Sequence, residues 1–441
     1  MKNSDLISDV RREIVIDEES TKIRPRGTTP DKKPQDENEI SHREGTQGRE
    51  GVKAQLSPKR DFKGESNEEE TRATQCYGLC PPDKDVSQAD YVEAIIKEYA
   101  ASKLNIPDPT ISAPAEPTAT PKPRGRHWKI TKATLFGQGT QPKLILQLAM
   151  STGVNRTAIF KPKLHSRYAP AHPCTGFDRY NAELGAYYLR RTLHNFVKTT
   201  RVIGVRLDLK KDIWPVRDHG LKNNSWVSDD GRYCVKFECK YCDELVLCGS
   251  ENQKTEFDGS LSFWTVHKLK QVKNPWSGTC TQKGLETWRN NKALCHQMLD
   301  NDAFFGDRRT ILNVVDAGIF DYLVDNPDRH TFEYWENGTN KMLVLLDNGK
   351  AFPAPYHNDA SILAAVFQCC VVRRTTYDML RHYAQPALIS AAFRAWMATD
   401  PIFPFLDDGH VGGVARRIRR AVALIELCIQ KYGRGAVLID Q

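Results

Sequence analysis

The apolar and polar positions along the chain change character near residue 127. From residue 128 to residue 165, short apolar runs alternate with glycines and polar turns, which is the pattern of an antiparallel sheet. Two later stretches, 177–196 and 311–325, carry apolar residues at helical spacing. The apolar stripes consist of Ala182, Ala186, Leu189 and Leu193 in the first stretch and Leu312, Val315, Ile319 and Tyr322 in the second. The pattern predicts a sheet followed by helices that each bury one face.

A β-hairpin is predicted farther along the chain. Thr331–Trp335 is rich in β-forming residues, and Met342–Leu346 is a continuous apolar run, which is typical of a strand buried on both faces. Between them, Asn337-Gly338 is a strong signal for a tight turn because both residues tolerate positive φ. A hairpin brings its two open ends side by side, so residues just outside these strands should lie close in space.

Two acids, Asp328 and Asp347, occupy those open ends. Neighbouring carboxylates repel each other unless a proton or a cation offsets the repulsion. Asp347-Asn348-Gly349 offers hard oxygen ligands on a turn, which suits a divalent cation. The alternative is an ordinary surface hairpin with solvated acids, and this stretch alone favours neither interpretation.

Other charged residues follow an order that is typical of phosphotransferases. Lys161 ends a predicted strand and Glu183 lies on the next helix, and kinases use such a pair to hold the lysine on phosphates. Lys161 alone is better read as an ordinary strand-end lysine, and Asp178 near the start of the helix could be only a cap. With Asp328 and Asp347 the order becomes lysine, glutamate, catalytic aspartate and metal aspartate. The familiar H-R-D and D-F-G spellings and the P-loop motif are absent.

The N-terminal part of the chain has a different composition. Among residues 1–88 the aromatic residues are Phe62 and Tyr77 alone, and charged residues, serine and proline are dense, so we predict that this region is disordered. Residues 89–126 should contain one amphipathic helix and a proline-rich linker. The folded domain should then extend over 127–437.

The net charge of +8 is modest for 441 residues. No basic run is interleaved with aromatic residues, which argues against a nucleic-acid partner. A cluster of arginines on a late predicted helix is interpreted as a solvated face. Its members are Arg416, Arg417, Arg419 and Arg420.

The chain contains 12 cysteines, and four of them crowd residues 234–248. Zinc would suit them poorly because there is a single C-x-x-C pair, Cys239 and Cys242, so disulfides in an oxidising compartment are favoured. The sequons at Asn155, Asn223 and Asn337 support secretion weakly. The first residues contain no signal-peptide core. Either the thiols are cytosolic and reduced or the true start is missing, and we favour a missing start that could include a membrane anchor.

The region 128–437 resembles the secretory-pathway kinases that include the Golgi casein kinase and the glycosaminoglycan xylosylkinase. The motifs that carry the resemblance are GTQ (139–141), FKPK (160–163), DRYNAE (178–183), C…CKYC…C (234–248), DGSLSFW (258–264), NPW (274–276), FDYLVDNPDRHTFE (320–333), LLDNGKAF (345–352) and SILAAVFQCCVVRRTTY (361–377). The resemblance implies an α+β, atypical two-lobed protein-kinase-like fold stapled by disulfides. A small β-rich N-lobe would cover about 127–258 and a larger helical C-lobe about 259–437.

The same resemblance implies roles for individual residues. Asp328 would be the catalytic aspartate, and Asp178 and Asp347 would bind Mn²⁺ or Mg²⁺. The residues implied in ATP binding are Gln141, Lys161, Glu183, Gly259, Ser260, Leu261, Ser262 and Glu333, with Glu183 as the partner of the lysine. The implied disulfides are Cys234–Cys248, Cys239–Cys242, Cys295–Cys369 and Cys370–Cys428, which leaves Cys76, Cys80, Cys174 and Cys280 without a place.

Several details favour the xylosylkinase branch of the family. They are FKPK, Asp178, the C-x-x-C spacing, Trp264, Lys350 and DPIFPFLDDGH (400–410). The implied reaction transfers the γ-phosphate of ATP to the 2-hydroxyl of xylose in the galactose-xylose-serine linkage region of a proteoglycan, in the Golgi lumen or outside the cell. The alternatives are a secretory protein serine kinase of the same fold and a pseudokinase that activates a paralogue. The oligomeric state is left open.

Overall fold

The computed structural model describes residues 79, 90, 93–97, 127–137, 139–164, 179–240, 242, 245–265, 267–277, 288–289, 291–337 and 340–440. All of them belong to one compact unit, residues 70–441. Their buried apolar side chains form two cores, one under a sheet-rich lobe and a larger one in a helix-rich lobe. The α+β, two-lobed fold that the sequence predicted is therefore confirmed.

A five-stranded antiparallel sheet forms the first lobe. In spatial order it contains β1 (Trp128–Leu135), β2 (Leu144–Met150), β3 (Asn155–Pro162), β9 (Glu256–Phe263) and β5 (Val202–Asp208). One face carries Leu144, Phe160 and Leu261, which are fully buried in the core of this lobe. Val202 lies on the opposite face and packs into the second core, so that face is directed toward the helical lobe.

Strand β9 crosses the lobe boundary that was predicted between residues 258 and 259. Residues 259–262 pair with both β3 and β5, and Phe263 pairs with β3, so this segment is inseparable from the first sheet. The sequence motif did not indicate that this strand belongs to the first sheet. The predicted nucleotide contacts and the interior of the sheet lie on the same strand. We propose that the first lobe ends after Phe263.

Smaller elements cover the first sheet. A three-stranded sheet contains β6 (Ser225–Val227), β7 (Tyr233–Lys236) and β8 (Val246–Cys248). A π-helical segment (Leu209–Ile213) and a 3-10 turn (Trp214–Val216) lead into it. Buried residues of these elements, among them Ile213 and Val235, extend the core of the first lobe.

Helices dominate the second lobe. In chain order, the numbered α-helices after residue 127 are α1 (Tyr180–Thr192), α2 (His219–Asn223, in the first lobe), α3 (Leu294–Asn301), α4 (Arg308–Val324), α5 (Ala364–Cys369), α6 (Arg374–His382), α7 (Pro386–Met397), α8 (Asp408–Tyr432) and α9 (Arg434–Val437). A 3-10 turn covers Ala360–Leu363. None of the helices within the described residues has the length and apolar character needed to span a membrane.

The predicted apolar stripes of α1 and α4 are fully buried. Helix α4 is also buried on faces outside its stripe, at residues such as Val314, Phe320 and Leu323. The prediction of a single buried face is wrong for α4 because α1, α5, α8 and the sheet of the second lobe pack around it. It is also wrong for α1, where nearly every residue is buried. Such a central helix provides a rigid support for the loop that follows Val324.

The predicted hairpin is present as β11 (Thr331–Asn337) and β12 (Asn340–Leu345), which pair antiparallel. In spatial order the second-lobe sheet contains β10 (Lys270–Lys273), β11, β12 and β4 (Lys198–Thr199), and β13 (Val372–Arg373) pairs separately with β14 (Leu438–Ile439). Strand β12 buries Leu343 and Leu345, whereas Met342 and Val344, which alternate with them, are only partly buried. The prediction that both faces are buried is wrong because helices cover one side of this small sheet.

All four disulfides that the family resemblance implied are present. They are Cys234–Cys248, Cys239–Cys242, Cys295–Cys369 and Cys370–Cys428. The adjacent Cys369 and Cys370 reach different partners, one on α3 and one on α8. The zinc interpretation of the cluster at 234–248 is excluded because its thiols are bonded to one another. The four cysteines without an implied partner lie outside the described residues.

Two described parts of the N-terminal region pack on the second lobe. Leu79 falls within the predicted disordered region, yet it is buried, and its N–H donates a hydrogen bond of 2.7 Å to the carbonyl oxygen of Phe367. Leu79 is ordered because its apolar side chain joins the core, and the disorder of most of 1–88 stays a prediction. Residues 90 and 93–97 are helical, as predicted, with Ile96 fully buried and Glu93 paired with Arg420. The predicted linker and the rest of 1–88 lie outside the described residues.

We expect a chain that starts at residue 98 to be less stable than one that starts at residue 89, by about 2 kcal/mol. The shorter chain loses the fully buried Ile96, and burying one such side chain contributes about 1.5–3 kcal/mol. The free energies of unfolding would be compared by urea denaturation. Equal transition midpoints with equal slopes would show that this helix contributes nothing to stability.

Candidate active site

Lys161 lies at the end of β3, where the two lobes meet. Its Nζ donates one hydrogen bond to Oε1 of Glu183 on α1 and another, of 3.0 Å, to Oδ1 of Asp347 after β12. The side chains of Lys161 and Glu183 are each 5% exposed, whereas the Asp347 side chain is 63% exposed. The fold thus brings together three of the residues that the sequence predicted, and the Asp347 carboxylate remains open to solvent.

Glu183 also holds the turn that follows β12. Its Oε2 accepts a hydrogen bond of 3.2 Å from the backbone N–H of Asn348, while Oε1 accepts from Lys161. Asp347 has a left-handed backbone with φ of 51°, which aspartate tolerates better than most residues. One buried glutamate therefore fixes both the lysine and the backbone beside the predicted metal ligand.

The Asp347 carboxyl is kept ionised by the positive charges around it. The Lys161 ammonium has the largest effect and holds the pKa of Asp347 far below its usual range. Lys143 and Arg329 lower the pKa further, and desolvation opposes them. An acid in this state can bind a cation without first releasing a proton. Lys143, which no sequence motif indicated, is buried in the loop that contains Gly139.

Strand β9 places its predicted contact residues on two different faces. Ser260 is opposite Lys161 in the sheet register, so Ser260 and Ser262 share the face that carries the lysine. Leu261 points the other way and is fully buried in the first-lobe core, so it can offer a ligand its backbone alone. Gly259 has no room for a side chain, because a Cβ there would come within 2.4 Å of the Lys161 carbonyl oxygen.

Several buried polar atoms of the predicted nucleotide-binding residues have no hydrogen-bond partner among the residues that the structure describes. They are Oε1 and Nε2 of Gln141 and the Oγ atoms of Ser260 and Ser262. The Gln141 side chain is 1% exposed and Ser260 is fully buried. Buried polar groups without partners are rare in proteins, so these atoms indicate a place where a polar ligand completes the hydrogen bonding.

Glu333 lies on β11, at the edge of this region. Its Oε1 accepts hydrogen bonds from Thr331 Oγ1 at 3.1 Å and from Gln271 Nε2 at 3.3 Å. Its negative charge is among the influences that raise the pKa of Arg329, after Asp321. Glu333 is therefore near the loop that holds Asp328, although no described contact joins it to Lys161.

Asp328 belongs to the loop between α4 and β11. Its side chain is 34% exposed, and Lys350 Nζ lies 4.0 Å from its Oδ2. Its backbone is fixed by Asn326, whose Oδ1 accepts from the Asp328 N–H at 3.3 Å, and by His330, whose N–H donates to the Asp328 carbonyl at 2.9 Å. The carboxylate is thus accessible on a backbone that its neighbours hold in place.

Arg329 joins the two ends of the hairpin. Its guanidinium donates two hydrogen bonds, of 3.0 and 2.9 Å, to the buried carboxylate of Asp321 on α4. It also donates to the Leu346 carbonyl and, over 2.8 Å, to Asn348 Oδ1. The loop of Asp328 and the turn of Asp347 are therefore tied through one buried arginine. No sequence pattern indicated Asp321, Arg329 or Asn348 in this role.

Asp178, the second predicted metal ligand, lies outside the described residues. The next residue, Arg179, is described and buried, and its N–H donates a hydrogen bond of 2.8 Å to the Gly349 carbonyl. Its guanidinium donates to the carbonyls of Ala351, at 2.7 Å, and Phe352. Burial lowers the pKa of Arg179 to about 10. The start of α1 is therefore attached to the turn that carries Asp347.

The predicted solvated face of α8 is wrong for Arg417, which is 2% exposed. Arg417 donates hydrogen bonds to the carbonyls of Leu323, at 2.9 Å, and His357, at 3.2 Å, and its Nη1 lies 3.8 Å from Asp325 Oδ2. His357 Nδ1 is 2.8 Å from the same oxygen of Asp325. The arginine is buried because it closes the C-terminal end of α4, immediately before the Asp328 loop.

We expect the contribution of His357 to stability to depend on pH. The hydrogen bond to the Asp325 carboxylate raises the pKa of His357 above its ordinary value of 6.5. The imidazolium form is therefore favoured by folding, so the contribution is complete below pH 6.5 and is lost as the pH rises through the folded-state value. His357→Gln should reduce the melting temperature more at acidic pH than at about pH 8. The charged pair should contribute about 1 kcal/mol or less to the free energy of unfolding.

His382→Gln provides the control for this prediction, because His382 is exposed on α6 and makes no described contact with a carboxylate. Its effect on the melting temperature should be the same at both pH values. A difference between His357→Gln and the parent protein that does not change with pH would rule out the charged pair.

Comparison with known proteins places this site in a family. A family model described as "Fam20C: Golgi casein kinase, C-terminal, Fam20" matches residues 125–437. The human protein named glycosaminoglycan xylosylkinase is 32% identical over 317 residues, which cover 71% of this chain and 75% of the relative.

Solved structures agree with this assignment. The structure described as hydra Fam20 with sugar has a TM-score of 0.65 at 29% identity, over 71% of this chain and 89% of its own. A Golgi casein kinase with Mn and ADP bound has a TM-score of 0.62 at 24% identity, over 71% and 76% of the two chains, which supports the fold alone. The matched region contains both lobes and every described residue of the candidate site, and the chain belongs to the Fam20 family.

Proposed function

We propose that this protein is an ATP-dependent kinase that phosphorylates the 2-hydroxyl of xylose in the glycosaminoglycan linkage region of proteoglycans. One observation carries the proposal: Lys161 contacts both Glu183 and Asp347, beside a loop that presents Asp328. Kinases use a strand lysine, a helix glutamate and an aspartate after a hairpin in this way to hold nucleotide phosphates.

The residues at the face of β9 fit a nucleotide. Gln141, Ser260 and Ser262 supply buried donors and acceptors that lack partners in the described structure, as a bound polar group requires. Lys161 supplies a positive charge next to them, and Glu183 keeps its ammonium in place. We assign Gln141, Lys161, Gly259, Ser260, Leu261, Ser262 and Glu333 to nucleotide binding, with Leu261 contributing through its backbone.

The donor set also fits Mg²⁺ or Mn²⁺. Asp347 is ionised and exposed, and such cations are usually held by one or two carboxylates together with phosphate oxygens. The described residues contain no group of three or more acidic, histidine or cysteine side chains that could hold a metal without such oxygens. We assign Asp347 and Asp178 as the protein ligands. The cation, when bound, would neutralise charge on the phosphates.

The chain's own residues then perform two tasks. Asp328 accepts the proton of the acceptor hydroxyl, for which its accessible carboxylate is suited. Arg329 and Glu183 hold the two aspartate segments in fixed positions, so the hydroxyl and the phosphate meet without further rearrangement of the backbone. Lys350 Nζ lies 4.0 Å from Asp328 Oδ2, so its positive charge is directed at the carboxylate.

The choice of a sugar acceptor rests on relatives. The human relative is named for xylose phosphorylation, and the family description names a casein kinase, so a protein serine kinase is the second candidate. Asp178, Trp264 and Lys350 match the xylosylkinase branch of the resemblance, so they favour a sugar acceptor over a protein acceptor. The presence of Lys161, Asp328 and Asp347 opposes a pseudokinase role. Because the described cysteines are all paired in disulfides, we also propose that the protein works in the Golgi lumen or is secreted.

An acceptor assay would test this proposal. The purified protein would be incubated with radiolabelled ATP and Mn²⁺, and then with a galactosyl-xyloside, the same glycoside lacking the xylose 2-hydroxyl, or casein. We expect phosphate on the first acceptor alone. Labelled casein without labelled sugar would establish the protein kinase instead, and labelling of the 2-deoxy glycoside would refute the proposed position.

A further inference from the structure

The second lobe contains a pocket that shares no residue with the candidate active site. Its volume is about 360 Å³, and it lies between α4, β4, β12 and the start of α6. Sites for small organic ligands have volumes of about 300–1,000 Å³, so this pocket has room for one ring or two. We refer to it as the basic pocket and define it by Lys198, Arg309 and Arg373 together with Ala317, Leu343 and Leu345.

The basic pocket combines an apolar floor with positive charge. Ala317, Leu343 and Leu345 are buried, and they form a surface on which a ring can pack. Lys198 and Arg309 are exposed beside this floor, and neither has an ion-pair partner among the residues that the structure describes. An apolar surface with a few charged groups at its edge is typical of sites that bind organic ions.

The negative charge near the basic pocket is already paired. Asp316, the acid that lines it, accepts hydrogen bonds from Arg373 and from Thr376 Oγ1, the latter at 2.9 Å. Asp307 lies next to Arg309 in the chain, but its carboxylate caps α4, accepting from the Arg309 N–H at 3.3 Å and from Thr310 Oγ1 at 3.1 Å. The basic pocket therefore contains three cationic side chains and a single carboxylate, that of Asp316, whose charge Arg373 already neutralises.

We propose that the basic pocket binds a carboxylate carried on a ring with an apolar face. Lys198 and Arg309 hold the carboxylate by charge-assisted hydrogen bonds, and the ring packs on Leu343 and Leu345. An acidic sugar and an aromatic acid both have this chemistry. The proposal does not depend on the proposed phosphotransfer, because no residue of the basic pocket has a role in that reaction.

Ligand-observed NMR on the whole chain would test the proposal with three probes: methyl glucuronide, the neutral methyl glucoside of the same shape, and benzoate. We expect saturation transfer to at least one of the two anions at millimolar concentration, with affinity that falls as salt is added, and none to the glucoside. Tighter binding of glucuronide would identify an acidic sugar as the ligand, and tighter binding of benzoate would identify an aromatic acid. Equal transfer to the glucoside, or none to any probe, would overturn the proposal.

A pair of charge-reversal variants would locate the site. Arg309→Glu should weaken binding of the anion at least about tenfold, because it replaces a charge-assisted hydrogen bond with repulsion. Arg308→Glu is the matched control, since Arg308 is the exposed neighbour on α4 that does not line the basic pocket. Melting curves of both variants would establish that they fold. An equal loss of affinity in the two variants would show that binding of the anion depends only on the net charge of the protein. That result would refute binding in the basic pocket.

Discussion

Asp328→Asn should reduce the rate of phosphotransfer by a factor of about 10²–10⁴, which is the usual contribution of a general base. Asparagine keeps the size and the hydrogen-bonding shape of the side chain but cannot accept the proton of the acceptor hydroxyl. The Asp328 backbone contacts to Asn326 and His330 do not involve the carboxylate, so the loop should keep its conformation. The rate would be measured under single-turnover conditions with the acceptor that the parent protein phosphorylates.

Nucleotide binding separates this effect from a loss of structure. Asp328 is assigned to the acceptor hydroxyl and not to the nucleotide, so the affinity for ADP with Mn²⁺ should change less than threefold, on the order of the error of additive effects. Glu336→Gln is the control, since it neutralises a partly buried acid of the same hairpin, one that pairs with Lys270. A slow Glu336→Gln variant, or an Asp328→Asn variant with normal rate, would contradict the assignment of the base.

The hairpin shows how much of the site local sequence can predict. The turn at Asn337 and the β-forming residues on each side were sufficient to place Asp328 and Asp347 at the two open ends, because pairing register is a local property of a hairpin. The pairing of Lys161 with Glu183 needed the kinase order of parts as well, since 22 residues and a change of element separate them. The family resemblance, and no spacing rule, predicted the disulfides.

The parts that could not be predicted depend on burial by distant elements. Whether β12 has one buried face or two is decided by the helices packed against it, and the apolar run alone cannot distinguish the two cases. Arg417 lies in a cluster of arginines that was predicted to be solvated. It is buried because its guanidinium donates to a backbone carbonyl at the end of α4, 94 residues away in the chain. Leu261 looked like a contact residue, but strand alternation turns its side chain into the core.

Arg329 is the clearest example of such a residue. In the sequence it is one more charged side chain beside Asp328, and arginines are mostly exposed. The structure buries it between Asp321, Leu346 and Asn348, where each guanidinium nitrogen has an acceptor. Its planar, forked donors match a carboxylate in a way that a lysine ammonium cannot. The same contacts that stabilise the fold also set the distance between the loop of Asp328 and the turn of Asp347.

Arg329→Lys should therefore lower the free energy of unfolding by about 1–3 kcal/mol, because lysine keeps the charge but leaves buried acceptors without a donor. A lysine ammonium has three donors and no planar fork, so it cannot bond both oxygens of the Asp321 carboxylate, which is 2% exposed, together with the Leu346 carbonyl and Asn348. Denaturant unfolding would measure the change. The double variant Asp321→Leu/Arg329→Leu should lose about 1–3 kcal/mol less in free energy of unfolding than the two single variants lose together. The reason is that neither charge is then left buried alone.

Arg381→Lys is the matched control, because Arg381 pairs with Glu426 through a side chain that is 58% exposed. Exposed ion pairs contribute about 0–1 kcal/mol, so this variant should unfold almost like the parent protein. If Arg329→Lys were equally mild, the two aspartate segments would have to be held together by other contacts, such as that of Glu183 with the Asn348 N–H. Phosphotransfer by the folded Arg329→Lys protein distinguishes these cases, because an arginine that positions Asp328 should, when replaced, lower the turnover rate even where the protein remains folded.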